Sequence, residues 1–306
     1  MPKPTAQRVR RNLKVLELYC GIGGVAAAAV SCGRIALAVD QNRLALGVYG
    51  YNFDHPFQSK TVESLDSHFL KRLEADLWWA SPPCQPFTLK GKRRQLADTR
   101  AQTLVLGILA KLKKVLPRFF ALENVPGFMG SDAHALVKDQ LQRFGYRYHW
   151  EGLLCPSELG LPNHRRRFFL MAGREPLAAP KMSRMPKRPL EAFLESDPPG
   201  DLELDPATLQ RYQKAVDLVD PRNPTAVASC FTAGYGKSPV RCGSYLQLPQ
   251  NRARYFSPKE VAALLGFPPW FAIPPQLSRR QAWKLLGNSL SIPCVRTVLS
   301  LVPSLP

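Results

Sequence analysis

Two residues in this sequence combine reactive side chains with positions at the ends of apolar segments. Cys84 lies in Ser81-Pro-Pro-Cys-Gln-Pro86, where prolines stiffen the backbone that aims the thiol. A thiolate is the best side-chain nucleophile near neutral pH, although a lone cysteine is more often a small buried hydrophobe. Glu123 ends another apolar segment, where an acid could also be a solvated charge or a helix cap. Together the two favour a nucleophile working beside an acid.

A glycine-rich turn indicates a ligand site. Gly21-Ile-Gly-Gly24 follows the first apolar segment, and glycine lets the backbone turn tightly and approach a ligand closely. The spacing differs from G-x-G-x-x-G, which disfavours a dinucleotide site. Asp40 ends the second apolar segment, where a carboxylate can accept hydrogen bonds from ribose hydroxyls. The turn alone is equally consistent with a structural role, but with Asp40 it favours a nucleoside site.

Alternating strand-like and helix-like segments must position these groups. This alternation predicts an α/β fold with a parallel, doubly wound sheet, whose crevice lies at the carboxyl ends of the strands. Helices are predicted from Asn42 towards Tyr51 and over Leu104–Leu116. The predicted strands are Lys14–Tyr19, Ile35–Val39, Leu77–Ala80, Phe119–Leu122 and Phe168–Ala172.

The second half of the sequence changes character. Prolines concentrate in residues 174–224, which excludes long regular elements there and predicts a small irregular domain over 174–250. Capping boxes beginning at Ser257 and Ser278 then predict two helices in the final segment, 251–306. We therefore expect three parts: 1–173, 174–250 and 251–306.

The charge of the chain indicates a polyanionic partner. It carries 42 Lys and Arg against 23 Asp and Glu, a net charge of +19. Nucleic acid is the commonest partner of so basic a domain, although basic charge can also serve solubility alone. The segment after Cys84 would neutralise backbone phosphates around the reactive centre. Its basic residues are Lys90, Lys92, Arg93, Arg94 and Arg100.

The seven cysteines are widely spaced and form no C-x-x-C pair, which argues against a disulfide framework and a zinc site. We expect no metal. Met1–Asn12 is basic without an apolar core, so it does not resemble a secretory signal. Since no apolar run is long enough to span a bilayer, we expect a soluble, cytoplasmic protein. We also expect it to be a monomer.

Five motifs in this order resemble the cytosine-5 methyltransferase family: Gly21–Gly24, Pro83-Cys84-Gln85, Glu123–Val125, Arg165–Arg167 and Gly287–Leu290. The resemblance covers residues 13 to about 172 and 252 to about 301. It implies a Rossmann-like methyltransferase sheet. Residues 1–173 would form an S-adenosylmethionine-binding catalytic domain, 174–250 a target-recognition domain, and 251–306 a return to the catalytic domain.

The resemblance also implies a mechanism with S-adenosylmethionine as methyl donor and S-adenosylhomocysteine as product. Cys84 would attack carbon 6 of a flipped cytosine while Glu123 hydrogen-bonds the ring nitrogen, and carbon 5 would take the methyl group. Arg165 and Arg167 would bind the base and steady the site, and Arg166 would face away. The cofactor-binding positions implied in the same way are Tyr19, Gly21, Ile22, Gly23, Gly24, Asp40, Gln41, Val62, Glu63, Pro82, Asn288 and Ser289.

Within the family the chain resembles most the RNA-modifying branch, the tRNA-aspartate cytosine-5 methyltransferases. Cys230-Phe-Thr232 is similar to the signature of that branch in the recognition region. We expect the target to be an anticodon-loop cytosine, cytosine 38 of an aspartate tRNA or a related tRNA. The alternatives are a DNA cytosine-5 methyltransferase and a catalytically silent nucleic-acid-binding homologue, which the intact Cys84 and Glu123 disfavour. The expected nucleic-acid contacts are Lys90, Lys92, Arg93, Arg94, Cys230, Phe231 and Thr232.

Overall fold

A computed structural model describes residues 13–83, 99–182 and 186–303. Its main element is a seven-stranded sheet in the order β3-β2-β1-β4-β5-β7-β6. The chain is α/β, as predicted. The strands are β1 Leu13–Leu18, β2 Gly33–Asp40, β3 Phe57–Ser59, β4 Leu77–Ala80, β5 Phe119–Asn124, β6 Tyr148–Leu154 and β7 Arg167–Gly173.

The prediction of an all-parallel sheet is wrong at one strand. β3, β2, β1, β4 and β5 pair in parallel, but β7 runs antiparallel to both of its neighbours, β5 and β6. The chain between β6 and β7 contains only a short 3-10 turn, Pro156–Leu159. A parallel pair requires a longer crossover, usually a helix, whereas an antiparallel pair does not.

Helices cover both faces of the sheet. Successive side chains of a strand point to opposite sides, and here the side chains on both sides are apolar and must be buried. In β4, Leu77 and Trp79 belong to the apolar cluster that contains α1 and α9, while Trp78 and Ala80 belong to the cluster that contains α3, α4 and α5. The helices are α1 Gly24–Ala29, α2 Arg43–Asn52, α3 Ser67–Arg72, α4 Thr99–Val115, α5 Asp132–Arg143, α6 Pro206–Arg211, α7 Pro258–Leu264, α8 Arg279–Gly287 and α9 Ile292–Leu299.

Local capping explains where several helices begin. The Asn42 side chain accepts hydrogen bonds from the backbone of Leu44 and Ala45 at the start of α2. Ser257 and Ser278 each form a complete capping box, at α7 and α8, as the sequence predicted. Within the described residues, none of the helices combines the length and apolarity needed to cross a membrane.

A second, three-stranded sheet lies in the later part of the chain. It consists of β8 Asp217–Val219, β9 Ser244–Leu248 and β10 Arg252–Arg254 in the order β10-β9-β8. Val219, Leu246 and Ala253 of this sheet belong to the same apolar cluster as α1 and α9. The segment predicted to recognise the target therefore packs onto the catalytic part through one continuous core.

Candidate active site

Three of the predicted site features, the Gly21–Gly24 turn, Asp40 and Glu123, lie at one edge of the main sheet. The Gly21–Gly24 turn follows β1, Asp40 ends β2, and Glu123 is the next-to-last residue of β5. These three strands are parallel within the sheet, so their carboxyl ends lie on the same side. This is the edge at which open α/β sheets bind ligands.

Glycine is required in the turn after β1 because of its backbone angles and its close contacts. Gly21 and Gly23 have φ angles of +54° and +90°. A Cβ atom on Gly23 would lie 2.3 Å from Cε2 of Phe53, and one on Gly24 would lie 2.9 Å from Cβ of Leu290. The second contact shows that the Gly287–Leu290 motif packs against the turn. Two motifs that are far apart in the sequence therefore form one side of the site.

Asp40 holds the turn in place. One of its carboxylate oxygens accepts a hydrogen bond from the Gly21 backbone N–H at 2.9 Å, and the other accepts from the Asn42 N–H at 2.8 Å. A carboxylate has about four acceptor positions, so capacity remains for the hydroxyls of a ribose.

Tyr19 supplies an unsatisfied polar atom at this site. Its hydroxyl is buried and has no hydrogen-bond partner among the described residues. Burial, followed by the negative charges of Glu63 and Asp40, raises the pKa of this hydroxyl, so it remains a hydrogen-bond donor at neutral pH. A buried donor near two carboxylates, beside a glycine turn open to close approach, fits a polar ligand such as a nucleoside.

The other predicted cofactor positions differ in exposure. Ile22, Val62 and Pro82 are buried, as is Ser289, whereas Gln41, Glu63 and Asn288 are exposed. Ile22 belongs to the apolar core, so only its backbone is suited to a polar ligand. Glu63 lies against α4, where a Cβ atom on Gly107 would be 2.9 Å from its Oε1.

Glu17 is a buried acid that the sequence analysis did not single out. It is 1% exposed in β1, and its Oε1 accepts a hydrogen bond from the Val25 N–H at 3.0 Å. Its Oε2 has no partner within the described part of the chain. Burial is the largest effect on this carboxyl and raises its pKa to about 8. An acid among the buried apolar residues of this strand was the signal available in the sequence.

Glu123 lies beside the arginine motif. Its carboxylate is 8% exposed, and its Oε1 is 3.5 Å from Nε of Arg167. Burial raises the pKa of Glu123, while Arg167, Arg165 and a hydrogen bond with Ser81 oppose that shift, and the net shift is upward. A carboxyl with a raised pKa can donate a hydrogen bond to a ring nitrogen.

The three motif arginines have different environments. Arg165 is buried and Arg166 is exposed, as expected for a side chain that faces away from the site. The Arg165 guanidinium donates to the backbone carbonyls of Phe231 at 2.8 Å and Gly287 at 3.0 Å, and also to that of Ser289. Arg165 thus joins the recognition segment to the Gly287–Leu290 motif. This supports the predicted steadying role.

Cys230 lies against the same arginines. Its Sγ is 3.5 Å from Nη1 of Arg165 and 3.8 Å from Nη2 of Arg167. Burial raises the pKa of the Cys230 thiol, but the two guanidinium charges outweigh burial and the net shift is downward. The Cys230-Phe-Thr232 motif therefore contacts Arg165 and Arg167, the arginines near Glu123, through the Cys230 thiol.

The nucleic-acid contact predicted for Phe231 requires correction. Its ring is 1% exposed and packs against Tyr235 and Phe256, with ring centroids 5.0 and 5.2 Å apart. A ring enclosed in this way cannot stack on a base, so the structure favours a structural role for Phe231. Thr232 is half-buried, and its N–H donates to the Cys242 carbonyl at 2.9 Å.

The predicted nucleophile lies outside the described residues. Cys84 follows Pro82 and Pro83, which are described, and the Pro82 carbonyl accepts a hydrogen bond from the Asn124 side chain at 3.4 Å. The start of the Cys84 segment is thereby tied to the residue after Glu123. Four predicted nucleic-acid contacts also lie outside the described residues: Lys90, Lys92, Arg93 and Arg94.

Comparison with known proteins places this arrangement in context. The sequence profile of the family described as C-5 cytosine-specific DNA methylase matches residues 13–214 and 202–302. A human relative named tRNA (cytosine(38)-C(5))-methyltransferase is 31% identical over 390 aligned positions, covering 95% of this chain and 99% of the relative. A Spodoptera frugiperda relative of the same name is 32% identical, covering 94% and 98%. The crystal structure of S. pombe Dnmt2 methyltransferase superposes with a TM-score of 0.83 at 27% identity, covering 95% and 98%.

Proposed function

Because the chain belongs to the family of C-5 cytosine-specific DNA methylases, and is thus a cytosine-5 methyltransferase, we propose that its substrate is a tRNA. The target is an anticodon-loop cytosine, cytosine 38 of an aspartate tRNA or a related tRNA. One observation carries the choice of tRNA. The similarity to the human tRNA (cytosine(38)-C(5))-methyltransferase covers 95% of this chain and so includes the recognition segment as well as the catalytic motifs.

The methyl donor proposed for the site after β1 and β2 is S-adenosylmethionine, which when bound supplies an activated methyl group on a sulfonium. The glycine turn would let the ligand approach the backbone closely, and the Asp40 carboxylate would accept hydrogen bonds from the ribose hydroxyls. The unpaired Tyr19 hydroxyl and the Glu63 carboxylate would add polar contacts. Asn288 and Ser289 would line the side of the ligand site formed by the Gly287–Leu290 motif. Leu290 of that motif packs directly against Gly24.

Cys84 and Glu123 carry the proposed chemistry on the base. The Cys84 thiolate forms a bond to carbon 6 of the cytosine, and the electron pair of the 5,6 double bond moves to carbon 5. Glu123 hydrogen-bonds the ring nitrogen and so stabilises the charge that develops on the ring. After carbon 5 has gained the methyl group, a base such as solvent water takes the proton from carbon 5, the 5,6 double bond re-forms and the thiolate leaves carbon 6.

The arginines would position the base for this step. Arg167 lies 3.5 Å from Glu123, where its charge can orient that carboxyl and face a carbonyl oxygen of the base. Arg165 is engaged with three backbone carbonyls and would hold the recognition segment beside the base.

An anticodon-loop target suits these features. A base in a loop is already unpaired, so taking it out of its stack costs less than flipping it from a duplex. The net charge of +19 suits a polyphosphate substrate. The deciding experiment compares radiolabelled methyl transfer to unmodified aspartate tRNA and to a cytosine-containing DNA duplex at matched salt. We expect transfer to the tRNA and its loss when cytosine 38 is replaced by uridine. Faster methylation of the duplex would instead establish the DNA alternative.

A further inference from the structure

Ser244 is the first residue of β9, and it is fully buried. Its hydroxyl contacts the Asp217 carboxylate, and the backbone N–H and the hydroxyl of Ser229 lie 2.7 and 3.1 Å from Ser244 Oγ. A hydroxyl has one proton and two acceptor positions, and a carboxylate can only accept. The proton of Ser244 therefore goes to Asp217, and both Ser229 groups donate to Ser244. Neither the sequence motifs nor the proposed chemistry assigns Ser244 a role.

These side-chain contacts are additional to the pairing of the small sheet. β8 and β9 pair in parallel, with Asp217 beside Ser244 in the register. Backbone groups make that pairing, so it does not need the Ser244 hydroxyl. The hydroxyl is bonded instead to Ser229, which lies outside the three strands. Because the network extends from the sheet to this one loop residue, it can fix the position of the residue that follows, Cys230.

Ser229 is held from its other side by the segment that precedes the arginine motif. Asn163 is fully buried, and its Nδ2 donates to the Ser229 carbonyl at 3.3 Å. Neighbouring backbone groups support this contact, since Asn163 and Ala228 form a parallel β-bridge. The N–H of Ser229 is thus bonded to Ser244 and its carbonyl to Asn163. Little freedom remains in the backbone that leads to Cys230.

Cys230 connects this network to the residues around the base. Its Sγ lies 3.5 Å from Nη1 of Arg165 and 3.8 Å from Nη2 of Arg167. Arg167 in turn lies 3.5 Å from the Glu123 carboxylate. A displacement of Cys230 would therefore alter the surroundings of both guanidinium groups. In a reaction that depends on alignment, a displacement of about 1 Å can cost about a hundredfold in rate.

We propose that Ser244 is a positioning residue, which fixes Ser229 and so keeps Cys230 against Arg165 and Arg167. Ser244 acts through these neighbours and not by contact with the base or the methyl donor. The proposal rests on the proposed function, in which the two arginines hold and orient the cytosine.

The test removes the Ser244 hydroxyl. Ser244→Ala deletes the acceptor of the Ser229 N–H, so Cys230 is held less firmly. The kcat for methyl transfer to an unmodified tRNA transcript should fall about ten- to hundredfold, while KM for tRNA and affinity for S-adenosylhomocysteine stay within about twofold. This split is expected because the alignment of the base is lost, whereas the binding of RNA and of cofactor is retained.

A second readout follows Cys230 itself and needs no RNA. Burial raises the pKa of the Cys230 thiol, but the two neighbouring guanidinium charges outweigh burial and the net shift is downward. If Ser244→Ala lets the thiol move away from these charges, the pH midpoint for alkylation of Cys230 should rise, as read by mass spectrometry of its peptide. Cys32 is also half-buried and provides an internal reference in the same digests, with an unchanged midpoint.

Ser257 provides a matched control. It is 2% exposed, its hydroxyl donates to the Glu195 carboxylate, and it accepts from the Glu260 N–H at 3.1 Å. Ser257→Ala therefore removes the same kind of buried hydroxyl, but one that caps α7. Both variants should lower the melting temperature, and only Ser244→Ala should lower kcat and raise the alkylation midpoint. If Ser257→Ala lowered kcat as much, general destabilisation would explain the loss and the proposal would be overturned.

Failure of this proposal differs from failure of the proposed function. If the wild-type protein methylates tRNA and Ser244→Ala matches it in either kcat or the Cys230 midpoint, only the positioning proposal is wrong. If the wild-type protein transfers no methyl group to tRNA, the proposed function fails, and an unchanged Cys230 midpoint would overturn the placement by Ser244 as well. Should Ser244→Ala fail to fold, Asp217→Ala changes an exposed residue and must still lower kcat and raise the midpoint. Wild-type values in Asp217→Ala would then overturn the proposal.

Discussion

Nε of Arg167 lies 3.5 Å from Oε1 of Glu123, and this contact links the arginine motif to the acid at the end of β5. The carboxyl is buried enough to raise its pKa, and the guanidinium opposes that shift. Burial and the charge of Arg167 therefore together determine the pH range over which Glu123 carries a proton.

Arg167→Ala should raise the pKa of Glu123 further, since it removes a charge that stabilises the carboxylate. If protonated Glu123 assists the attack, the descending limb of the pH profile of kcat/KM moves to higher pH and the maximum rate falls. Arg166→Ala, which changes an exposed neighbour, should leave the position of that limb unchanged. An unmoved limb in Arg167→Ala would show that Glu123 does not set it.

Cys84→Ala should abolish methyl transfer and leave affinity for S-adenosylhomocysteine nearly unchanged, because the thiol makes the bond that activates the ring. A substrate containing 5-fluorocytosine should trap the wild-type protein covalently, as detected by denaturing electrophoresis. Cys32→Ala, which changes a half-buried cysteine before β2, should retain activity. Substantial turnover by Cys84→Ala would refute the nucleophile assignment.

Asp40→Ala should weaken binding of S-adenosylhomocysteine by about 1–3 kcal/mol, because ribose hydroxyls and the Gly21 N–H both lose an acceptor. Asp40→Asn keeps one acceptor for the turn and should lose less. Asp139→Ala changes an exposed carboxylate on α5 and serves as the control in calorimetry. Equal affinities for Asp40→Ala and the control would place the ribose contact elsewhere.

Glu17 should make the folded protein less stable as the pH rises. Its pKa is about 8 in the folded state, against 4.5 as the ordinary value. Between these values the folded protein keeps a proton that the unfolded chain releases. The free energy of unfolding should therefore fall by about 1.4 kcal/mol per pH unit across this window.

Glu17→Gln should remove that slope, because the amide does not titrate and its oxygen can still accept from the Val25 N–H. Denaturant unfolding at several pH values between these limits measures the effect. Glu191→Gln changes an exposed glutamate and should keep the wild-type slope. A slope that survives in Glu17→Gln would mean that another group carries the pH dependence.

Sequence patterns predicted much of the fold. Apolar runs located β1, β2, β4, β5 and β7 closely, because a strand covered on both faces is apolar throughout. The direction of β7 was not predictable in this way, since such a strand has the same composition whether it runs parallel or antiparallel. Short edge strands such as β3 contain too few residues to show a recognisable sequence of apolar positions.

The site was predictable where residue type and chain position limit the chemistry. Asp40 and Glu123 are at strand ends, as expected. The environment of a side chain was harder to foresee. Phe231 belongs to a short motif that does not reveal whether its ring faces a core or a ligand, and the burial of Glu17 depends on its contact with α1.

The contacts of Arg165 also bear on how the enzyme matures during synthesis. Its carbonyl partners lie 66, 122 and 124 residues further along the chain. When the ribosome adds Arg165, none of these partners exists, although the strands before it can already pair. A nascent chain could thus form most of the sheet early, yet the Arg165 guanidinium would lack its partners until Gly287 and Ser289 had been added. Methylating competence should consequently appear only after Ser289 has been added, and products terminated before Gly287 would be inert.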